Sequence, residues 1–414
     1  MKVLVSDKMG EAGLDIFRNQ DGIELDVKTG LTPDELKEII GQYDGLAIRS
    51  ATKVTKEILD AATNLKVVAR AGIGLDNVDI EEATKKGVAI MNTPGGNTVT
   101  TAEHAIAMMM ALTRNIPKGT ASLKAGQWDK KRLQGREIFN KVLGVIGFGN
   151  IGSIVAGLAK GLKMQVIIHD PNISSEHIEK AGFEYVTIED LYARSDYITI
   201  HVPKMDSTID LLDAQAFEKM KKGVMVINCA RGGILNESAL YEAICSGHVA
   251  GAALDVFSTE PPGDHPLLEL DQVIATPHLG ASTKEAQSNV SVAAANQIIS
   301  YLLQDTVINA VNLPSVTGDV LKQLKPFLYL VEKMGKMQAQ VTKGGIKQVD
   351  IEYIGRFPDQ DLKPLTLAGI KGVLNEFVSY EVNMVNAVSQ ANEMGIRISE
   401  STSKEAGNFL NLVR

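Results

Sequence analysis

Short apolar segments alternate with amphipathic segments over much of the chain. Apolar runs of four or five residues predict buried strands of a parallel sheet, and apolar residues at helical spacing predict helices that cover it. Thr32 and Glu35 have the spacing of a capping box, which predicts that a helix begins there and runs to Ile40. The pattern therefore indicates an α/β fold. In the first 96 residues it predicts five strands, at Val3–Asp7, Glu24–Lys28, Gly45–Arg49, Val67–Ala71 and Val88–Asn92.

The alternation resumes after a long predicted helix at Thr100–Arg114 and extends from residue 141 to about Pro277. Ser282 and Glu285 predict a second capping box at the start of another helix. Beyond Pro314 the pattern changes, and we expect a partial α+β domain. Its predicted elements are a half-exposed strand at 345–354, a helix at 363–390 and a strand that begins near residue 407.

The segment KVLGVIGFGNIGSIVAGLAKGLKMQVIIHD, at residues 141–170, predicts a strand, a turn, a helix and a second strand in that order. Gly147, Gly149 and Gly152 form G-x-G-x-x-G at the turn, and the second strand ends at Asp170. The predicted buried face of the helix consists of Ile151, Ile154, Val155, Leu158, Ala159 and Leu162.

This arrangement is typical of a dinucleotide-binding unit. The first glycine allows the tight turn, the second lets the backbone approach a pyrophosphate, and the third lets the helix pack on the strand. Asp170 lies 18 residues beyond Gly152, where a carboxylate accepts from a ribose 2′-hydroxyl. Because Asp170 would repel a 2′-phosphate and no arginine follows it, the sequence favours NAD over NADP.

Composition limits the classes of protein to which the chain can belong. Its 414 residues predict two or three domains, and a net charge of −8 without a basic arm argues against nucleic acid as a partner. The N-terminus has no signal-peptide pattern, and no apolar stretch is long enough to span a bilayer. Cys229 and Cys245 fit a reducing compartment, and no histidine has metal-ligand spacing. We therefore expect a cytoplasmic protein without a metal.

Three motifs after the dinucleotide unit carry residues that suit acid–base and carboxylate chemistry. Arg231 in NCARGG follows an apolar strand, where a guanidinium can hold a carboxylate in a bidentate fork. Glu260 precedes two prolines, and His278 follows a strand. A carboxylate that orients an imidazole favours the protonated ring and tunes it to accept a hydroxyl proton. Taken singly, a surface arginine, a solvated acid and a helix cap would also explain them.

Arginines and small residues follow three strands of the N-terminal segment. Such positions place guanidinium groups beside backbone amides, which suits a phosphate or a carboxylate. The candidate anion-binding residues are Arg49, Ser50, Arg70, Gly72, Gly74 and Asn97. The remaining histidines are interpreted as structural at His104, His169 and His201, and as solvated at His177, His248 and His265.

These motifs, in this order, resemble the D-isomer-specific 2-hydroxyacid dehydrogenase family. The resemblance is carried by VIGFGNIG with Asp170, NCARGG with Arg231, DVFSTEPP with Glu260 and TPHLGAST with His278. The segments RSATKVT, RAGIGLDNVD and MNTPGGN are similar to the branch that acts on 3-phosphoglycerate. The resemblance implies hydride transfer from 3-phosphoglycerate to NAD, which gives 3-phosphohydroxypyruvate in the first step of serine synthesis.

The resemblance also implies three domains. A smaller, flavodoxin-like substrate domain would comprise residues 1–96 and 282–314, and a Rossmann-type, doubly wound NAD-binding domain would comprise residues 97–281. Residues 315–414 would form part of a regulatory domain. The active site would lie in the cleft between the first two domains. The long form of the enzyme would continue with an ACT domain that binds serine, so feedback inhibition of that kind is not expected here.

Residue roles follow from the same resemblance. His278 would take the proton from the C2 hydroxyl, Glu260 would orient His278, and Arg231 would hold the substrate carboxylate. Arg49 and Arg70, with the small residues beside them and Asn97, would hold the anionic groups of the substrate. The implied cofactor contacts are Gly147, Gly149, Asn150, Ile151, Gly152, Asp170, Val202, Cys229, Ala230, Asp255 and Gly280.

One position departs from the family pattern, because Ile73 stands where relatives often have threonine and a hydroxyl contact is lost. The resemblance implies a homodimer or a homotetramer. Two alternatives stay open. One is another D-2-hydroxyacid dehydrogenase, such as a glyoxylate or hydroxypyruvate reductase, and the other is an NAD-sensing corepressor, since a fold does not decide a function.

Overall fold

The computed structural model of the chain describes residues 1–314, 318–357, 362–404 and 407–414, with the backbone alone at 318–322. The predicted boundary at residue 315 falls outside the described residues. The chain forms two compact units. The first unit comprises Met1–Pro94 and Gln287–Arg414, and the second comprises Gly95–Ala286.

The first unit contains a five-stranded sheet in the order β2-β1-β3-β4-β5, with every neighbouring pair parallel. This is the flavodoxin-like order that the family resemblance implies. The Thr32 hydroxyl accepts from the Glu35 amide and the Glu35 carboxylate accepts from the Thr32 amide, which confirms the capping box. The elements are β1 (Lys2–Val5), α1 (Glu11–Arg18), β2 (Glu24–Val27), α2 (Pro33–Ile39), a 3-10 turn (Ile40–Gln42), β3 (Gly45–Ile48), α3 (Lys56–Ala61), β4 (Val67–Arg70), α4 (Ile80–Lys85) and β5 (Ala89–Asn92).

The second unit contains a seven-stranded parallel sheet in the order β12-β11-β10-β9-β6-β7-β8. The order reverses between β6 and β9, as in the Rossmann fold, and ligands of such sheets bind at that point. The elements are α5 (Thr98–Thr113), α6 (Ile116–Lys124), β6 (Val142–Ile146), α7 (Asn150–Gly161), β7 (Gln165–His169), α8 (Ser175–Lys180), β8 (Glu184–Tyr185), α9 (Ile188–Arg194), β9 (Tyr197–Ile200), α10 (Ala214–Lys219), β10 (Val224–Asn228), α11 (Glu237–Cys245), β11 (Val249–Leu254), a 3-10 turn (Pro266–Glu269) and β12 (Val273–Ala275).

The buried face of α7 differs from the predicted one. Leu158 and Leu162 are each 38% exposed. The residues of α7 that are buried include Gly152 and three small or β-branched residues, Val155, Ala156 and Ala159. The helix lies so close to the sheet at Gly152 that small side chains fill the interface and the leucines remain at its margin.

Helix α12 (Lys284–Gln304) begins one residue later than its predicted capping box requires. The Thr283 hydroxyl, and not that of Ser282, accepts from the backbone N–H of Ala286. Further along, α12 packs against the five-stranded sheet of the first unit through Ala294 and Ile298, which are fully buried. A local shift at the cap therefore leaves the predicted helix in place.

The C-terminal segment forms a mixed sheet in which one central strand pairs parallel with one neighbour and antiparallel with the other. The single helix predicted at 363–390 is wrong. The chain turns after residue 374 because the side chain of Asn375 binds the backbone of Val382. Its Nδ2 donates to the Val382 carbonyl, and its Oδ1 accepts from the Val382 N–H. The elements are α13 (Gly318–Val341), β13 (Gln348–Gly355), α14 (Lys363–Leu374), α15 (Ala387–Glu393), β14 (Arg397–Ser403) and β15 (Asn411–Val413).

Within the first unit, this C-terminal segment packs on the five-stranded sheet. Val385 is buried in the same apolar cluster as Val3 and Ala47, and the Asn383 amide donates to the Gly87 carbonyl over 2.8 Å. Among the described residues, no helix is long and apolar enough to cross a membrane.

Candidate active site

The turn after β6 contains three glycines, and only the middle one has free space at its Cβ position. Gly147 has a φ of +93°, and a Cβ there would lie 2.6 Å from the carbonyl oxygen of His201. A Cβ at Gly152 would overlap with the carbonyl oxygen of Gly147. At Gly149, by contrast, no atom lies within 4 Å of a Cβ position. Two glycines thus serve the packing of the protein, and the middle one keeps open the space that a pyrophosphate needs.

Asp170 directly follows β7, beside this turn. Its side chain is almost buried, and one carboxylate oxygen accepts from the Phe148 amide at 2.8 Å. The other accepts from the Asn172 amide, also at 2.8 Å. Each carboxylate oxygen can accept a second hydrogen bond, so a fixed acceptor for a ribose hydroxyl remains. Together with the open space at Gly149 and the N-terminus of α7 at Asn150 and Ile151, these residues fit a dinucleotide.

The turn that carries Arg231 is locked by its own side chains. The Asn228 side chain, at the end of β10, accepts from the Ala230 amide and donates to the Arg231 carbonyl, both at 3.0 Å. The Arg231 guanidinium donates to the Ala230 carbonyl over 2.7 Å. Gly232 has no room for a Cβ because the Phe257 carbonyl lies against it. Arg231 is thus a fixed cation at the carboxyl end of a central strand.

Cys229 and Val202 were predicted to contact the cofactor. Cys229 is 4% exposed, and burial raises the pKa of its thiol, so the residue stays protonated. Val202 is half-buried and directly follows His201. Burial lowers the pKa of His201 to about 4, and its Nε2 lies 2.9 Å from the Thr199 hydroxyl. The imidazole is therefore neutral at physiological pH.

The structure brings Glu260 and His278 together. Nδ1 of His278 lies 2.7 Å from Oε2 of Glu260, and the other carboxylate oxygen accepts from the Phe257 amide at 3.1 Å. Desolvation would raise the pKa of Glu260, but the hydrogen bonds from His278 and Phe257 outweigh it, so that the pKa is lowered. An ionised carboxylate can only accept, so Nδ1 carries the hydrogen and Nε2 is left for chemistry.

Asp255 holds the loop on which His278 lies. Its carboxylate is 1% exposed and accepts from the Thr276 hydroxyl at 2.5 Å and from the Leu279 and Gly280 amides at 2.7 and 2.8 Å. The Asp255 carbonyl accepts from the His278 amide at 2.9 Å. Desolvation raises the pKa of Asp255, yet these hydrogen bonds and one from His104 lower it overall. Asp255, predicted as a cofactor contact, thus also orders the loop of the candidate base.

Sequence reasoning missed His104 and His265. Nε2 of His104 lies 3.2 Å from both the Thr276 hydroxyl and the Asp255 carboxylate, and its sequence signal was a polar residue on an apolar helix. His265 was interpreted as solvated, but its side chain is 19% exposed and its Nε2 lies 3.0 Å from Glu237. Glu237 also accepts from the amide and the hydroxyl of Ser258. These contacts hold the segment that leads to Glu260. They join residues that are distant in the chain, so no local sequence pattern predicts them.

In the first unit, Arg49 and Arg70 lie at the carboxyl ends of the neighbouring strands β3 and β4. The Arg70 Nε donates to the Arg49 carbonyl at 3.3 Å, and its Nη1 donates to the Gly74 carbonyl. Arg49 Nη1 donates to the Lys8 carbonyl at 3.4 Å. Gly72 lies beside Arg70, since a Cβ there would be 3.7 Å from Nη1. These residues, with the exposed Ser50, form one cationic edge of the sheet.

Two further candidate positions have defined surroundings. Asn97 precedes α5 in the second unit, and its Oδ1 is buried without a hydrogen-bond partner among the described residues. Relatives often have threonine at position 73. The backbone carbonyl of Ile73 accepts from the side-chain Nδ2 of Asn92 at 2.7 Å. Among the residues described, no group of three or more His, Cys, Asp and Glu side chains could hold a metal ion.

The fold and the site define an NAD-binding oxidoreductase of the Rossmann class. Residues 106–280 match the model of the D-isomer specific 2-hydroxyacid dehydrogenase NAD binding domain, and residues 323–414 match that of the D-3-phosphoglycerate dehydrogenase intervening domain. The chain belongs to the D-3-phosphoglycerate dehydrogenases, a branch of the D-isomer-specific 2-hydroxyacid dehydrogenase family.

Relatives of known name extend along the whole chain. It is 45% identical over 414 residues to a D-3-phosphoglycerate dehydrogenase of Archaeoglobus fulgidus, which covers 100% of this chain and 78% of that protein. It is 42% identical over 412 residues to that of Bacillus subtilis, with 100% and 78% covered. Among solved structures, the TT0316 protein from Thermus thermophilus is similar with a TM-score of 0.70 and 32% identity, over 75% of this chain and 100% of that one. An NAD-dependent formate dehydrogenase from Staphylococcus aureus in complex with NAD is similar with a TM-score of 0.68 and 27% identity, over 76% and 100%.

Proposed function

We propose that the chain oxidises 3-phosphoglycerate to 3-phosphohydroxypyruvate, the first step of serine synthesis. The observation that supports this class of reaction is the 2.7 Å contact between His278 and Glu260. The turn that carries Arg231 belongs to the same unit. The choice of substrate is supported by the printed names of the relatives and by the cationic edge around Arg49 and Arg70.

His278 removes the proton of the C2 hydroxyl through Nε2. Glu260 accepts from Nδ1–H, which fixes the tautomer, and its charge stabilises the imidazolium that results. Arg231 holds the substrate carboxylate through its guanidinium group. NAD, when bound, supplies the hydride acceptor. The family resemblance implies these three roles, and the donors, acceptors and charges of the residues support them.

The anionic groups of the substrate fall to six residues that provide cations, a hydroxyl, an amide and close backbone approach. They are Arg49, Ser50, Arg70, Gly72, Gly74 and Asn97. For the domains, we propose a substrate domain of residues 1–96 and 282–314, an NAD-binding domain of residues 97–281 and a partial regulatory domain of residues 315–414. The division between Pro94 and Gly95 and the match of residues 323–414 to an intervening domain support this assignment.

Assembly and location complete the proposal. A homodimer or homotetramer is expected, and nucleic acid is not a partner because the net charge is −8 without a basic arm. A cytoplasmic location is supported by the free cysteines Cys229 and Cys245, which fit a reducing compartment.

The test is NADH oxidation with 3-phosphohydroxypyruvate beside hydroxypyruvate and glyoxylate. We expect a clear preference in kcat/KM for the phosphorylated acid, and Arg70→Ala should lower kcat/KM for that acid more than for the other two. A preference for an unphosphorylated acid would assign the chain to a related reductase. Absence of turnover with all three would favour an NAD-sensing binding protein.

A further inference from the structure

Asp7 lies two residues beyond the end of β1 and faces the loop that follows β3. Asp7 is only 6% exposed, so its carboxylate needs hydrogen-bond donors from the protein. One oxygen accepts from the Arg49 amide at 2.6 Å and from the Thr52 amide at 3.1 Å. The other accepts from the Thr52 hydroxyl at 2.8 Å. All three donors belong to the loop 49–52.

Asn77 holds the same loop through its carbonyl groups. Its Nδ2 donates to the Arg49 carbonyl at 2.7 Å and to the Thr52 carbonyl at 2.6 Å. The Arg49 carbonyl also accepts from Arg70, and the Thr52 hydroxyl lies 2.8 Å from that of Ser6. The first and last residues of the loop therefore have both their N–H and their C=O groups bound, one set by Asp7 and the other by Asn77.

We propose that Asp7 and Asn77 are positioning residues that hold the loop 49–52 in the conformation that binds the anionic group of the substrate. This inference rests on the proposed function of Arg49 and Ser50. The hydrogen bonds of these two side chains go to the backbone and the Thr52 hydroxyl of the loop, so they act through it. Because Asp7 is an acceptor and Asn77 uses its donor, neither can be exchanged for the opposite hydrogen-bonding type without leaving loop groups unpaired.

The experiment measures KM and kcat for 3-phosphohydroxypyruvate in Asp7→Ala, Asp7→Asn and Asn77→Ala, with binding of 3-phosphoglycerate by calorimetry. We expect Asp7→Ala and Asn77→Ala each to raise KM about tenfold or more, with kcat and the Kd of NADH changed by less than about twofold. Asp7→Asn should recover most of the loss, since its amide oxygen accepts from both backbone N–H groups.

Asp44→Ala is the matched control. Asp44 precedes β3, at the other end of the strand, where it accepts from the Lys2 amide at 2.8 Å and pairs with Lys66 at 3.1 Å. It should lower the thermal stability of the same unit and leave KM unchanged. If Asp7→Ala does not fold, Asn77→Ala decides the question from the other side of the loop.

Three results would overturn the positioning role: an unchanged KM in a folded Asp7→Ala or Asn77→Ala, an equal rise in Asp44→Ala, or a loss confined to kcat. If the wild type prefers another 2-oxo acid, the proposed substrate is wrong, and the same KM comparison with that acid still tests the loop. If nothing is turned over, calorimetry with 3-phosphoglycerate decides, and equal binding by wild type and Asp7→Ala refutes the inference.

Discussion

Gly149 and Gly152 lie three residues apart in one turn, yet the structure predicts different effects when each is replaced by alanine. Gly152→Ala should lower stability, and Gly149→Ala should weaken cofactor binding. A Cβ at Gly152 would overlap with the Gly147 carbonyl, which is backbone and cannot rotate away. Overpacking of this kind costs about 1–3 kcal/mol and occasionally more. The better helix propensity of alanine returns at most about 1 kcal/mol. Because the overlap is with backbone, the upper end of this cost applies. The net loss of about 2 kcal/mol should lower the Tm of a unit this size by about 4–8 °C.

Gly149 differs because it caps α7 with φ of −74° and ψ of −159°, a conformation open to alanine, and no atom lies within 4 Å of the new Cβ. Gly149→Ala should therefore leave stability within about 1 kcal/mol of the wild type. The new methyl group occupies the space that the pyrophosphate needs, and we expect the Kd of NADH to rise about tenfold or more, which corresponds to about 1.4 kcal/mol.

The assay combines urea unfolding, which reports stability, with NADH fluorescence, which reports the Kd. The reasoning requires the two effects to separate, with the stability loss in Gly152→Ala and the pure binding loss in Gly149→Ala. If Gly149→Ala binds NADH as the wild type does, the cofactor does not approach the turn at that point. If Gly152→Ala is as stable as the wild type, the overlap with Gly147 is relieved at no cost.

Two further predictions concern charge. Asp170→Ala should raise the Kd of NADH much more than that of NADPH, measured by fluorescence titration, because only the first cofactor offers a free ribose 2′-hydroxyl; equal weakening would remove the ribose contact. Glu260→Gln should move the alkaline limb of the pH profile of reductive kcat/KM to lower pH. The lowered pKa of Glu260 keeps its carboxylate charged through this range, and glutamine no longer stabilises the imidazolium that donates the proton. An unmoved limb would contradict this role, and His278→Ala, which should lose turnover and retain NADH binding, is the control.

Much of the architecture was predictable because it depends on neighbours in the chain. Most strands of the two parallel sheets follow from short apolar runs, and the capping box at Thr32 follows from a three-residue spacing. The prediction of one helix at 363–390 was wrong because it continued the helix past Asn375, the residue that caps α14. The side chain of Asn375 makes two hydrogen bonds with the backbone of Val382, which stabilise a turn instead. The α7 face was misjudged because large apolar residues were assumed to be inside.

The candidate site was predictable only in part for the same reason. Glu260 and His278 could be named from their motifs, and the structure shows the distance between them. The partners that hold them could not be named. In the sequence, Glu237 is an ordinary acidic residue at the start of a helix. In the structure it binds Ser258 and His265, which lie 21 and 28 residues away.

By itself, the sequence determined the type of fold, the dinucleotide turn and the residues able to carry charge and protons. These are properties of side-chain chemistry and of spacings within a few residues. The tertiary structure alone decided which distant groups hold the candidate site in place. Asp7 meets Arg49 across 42 residues because the strand order places β1 beside β3, so that their carboxyl ends share one edge of the sheet. Strand order depends on the packing of the whole unit, and no short segment specifies it.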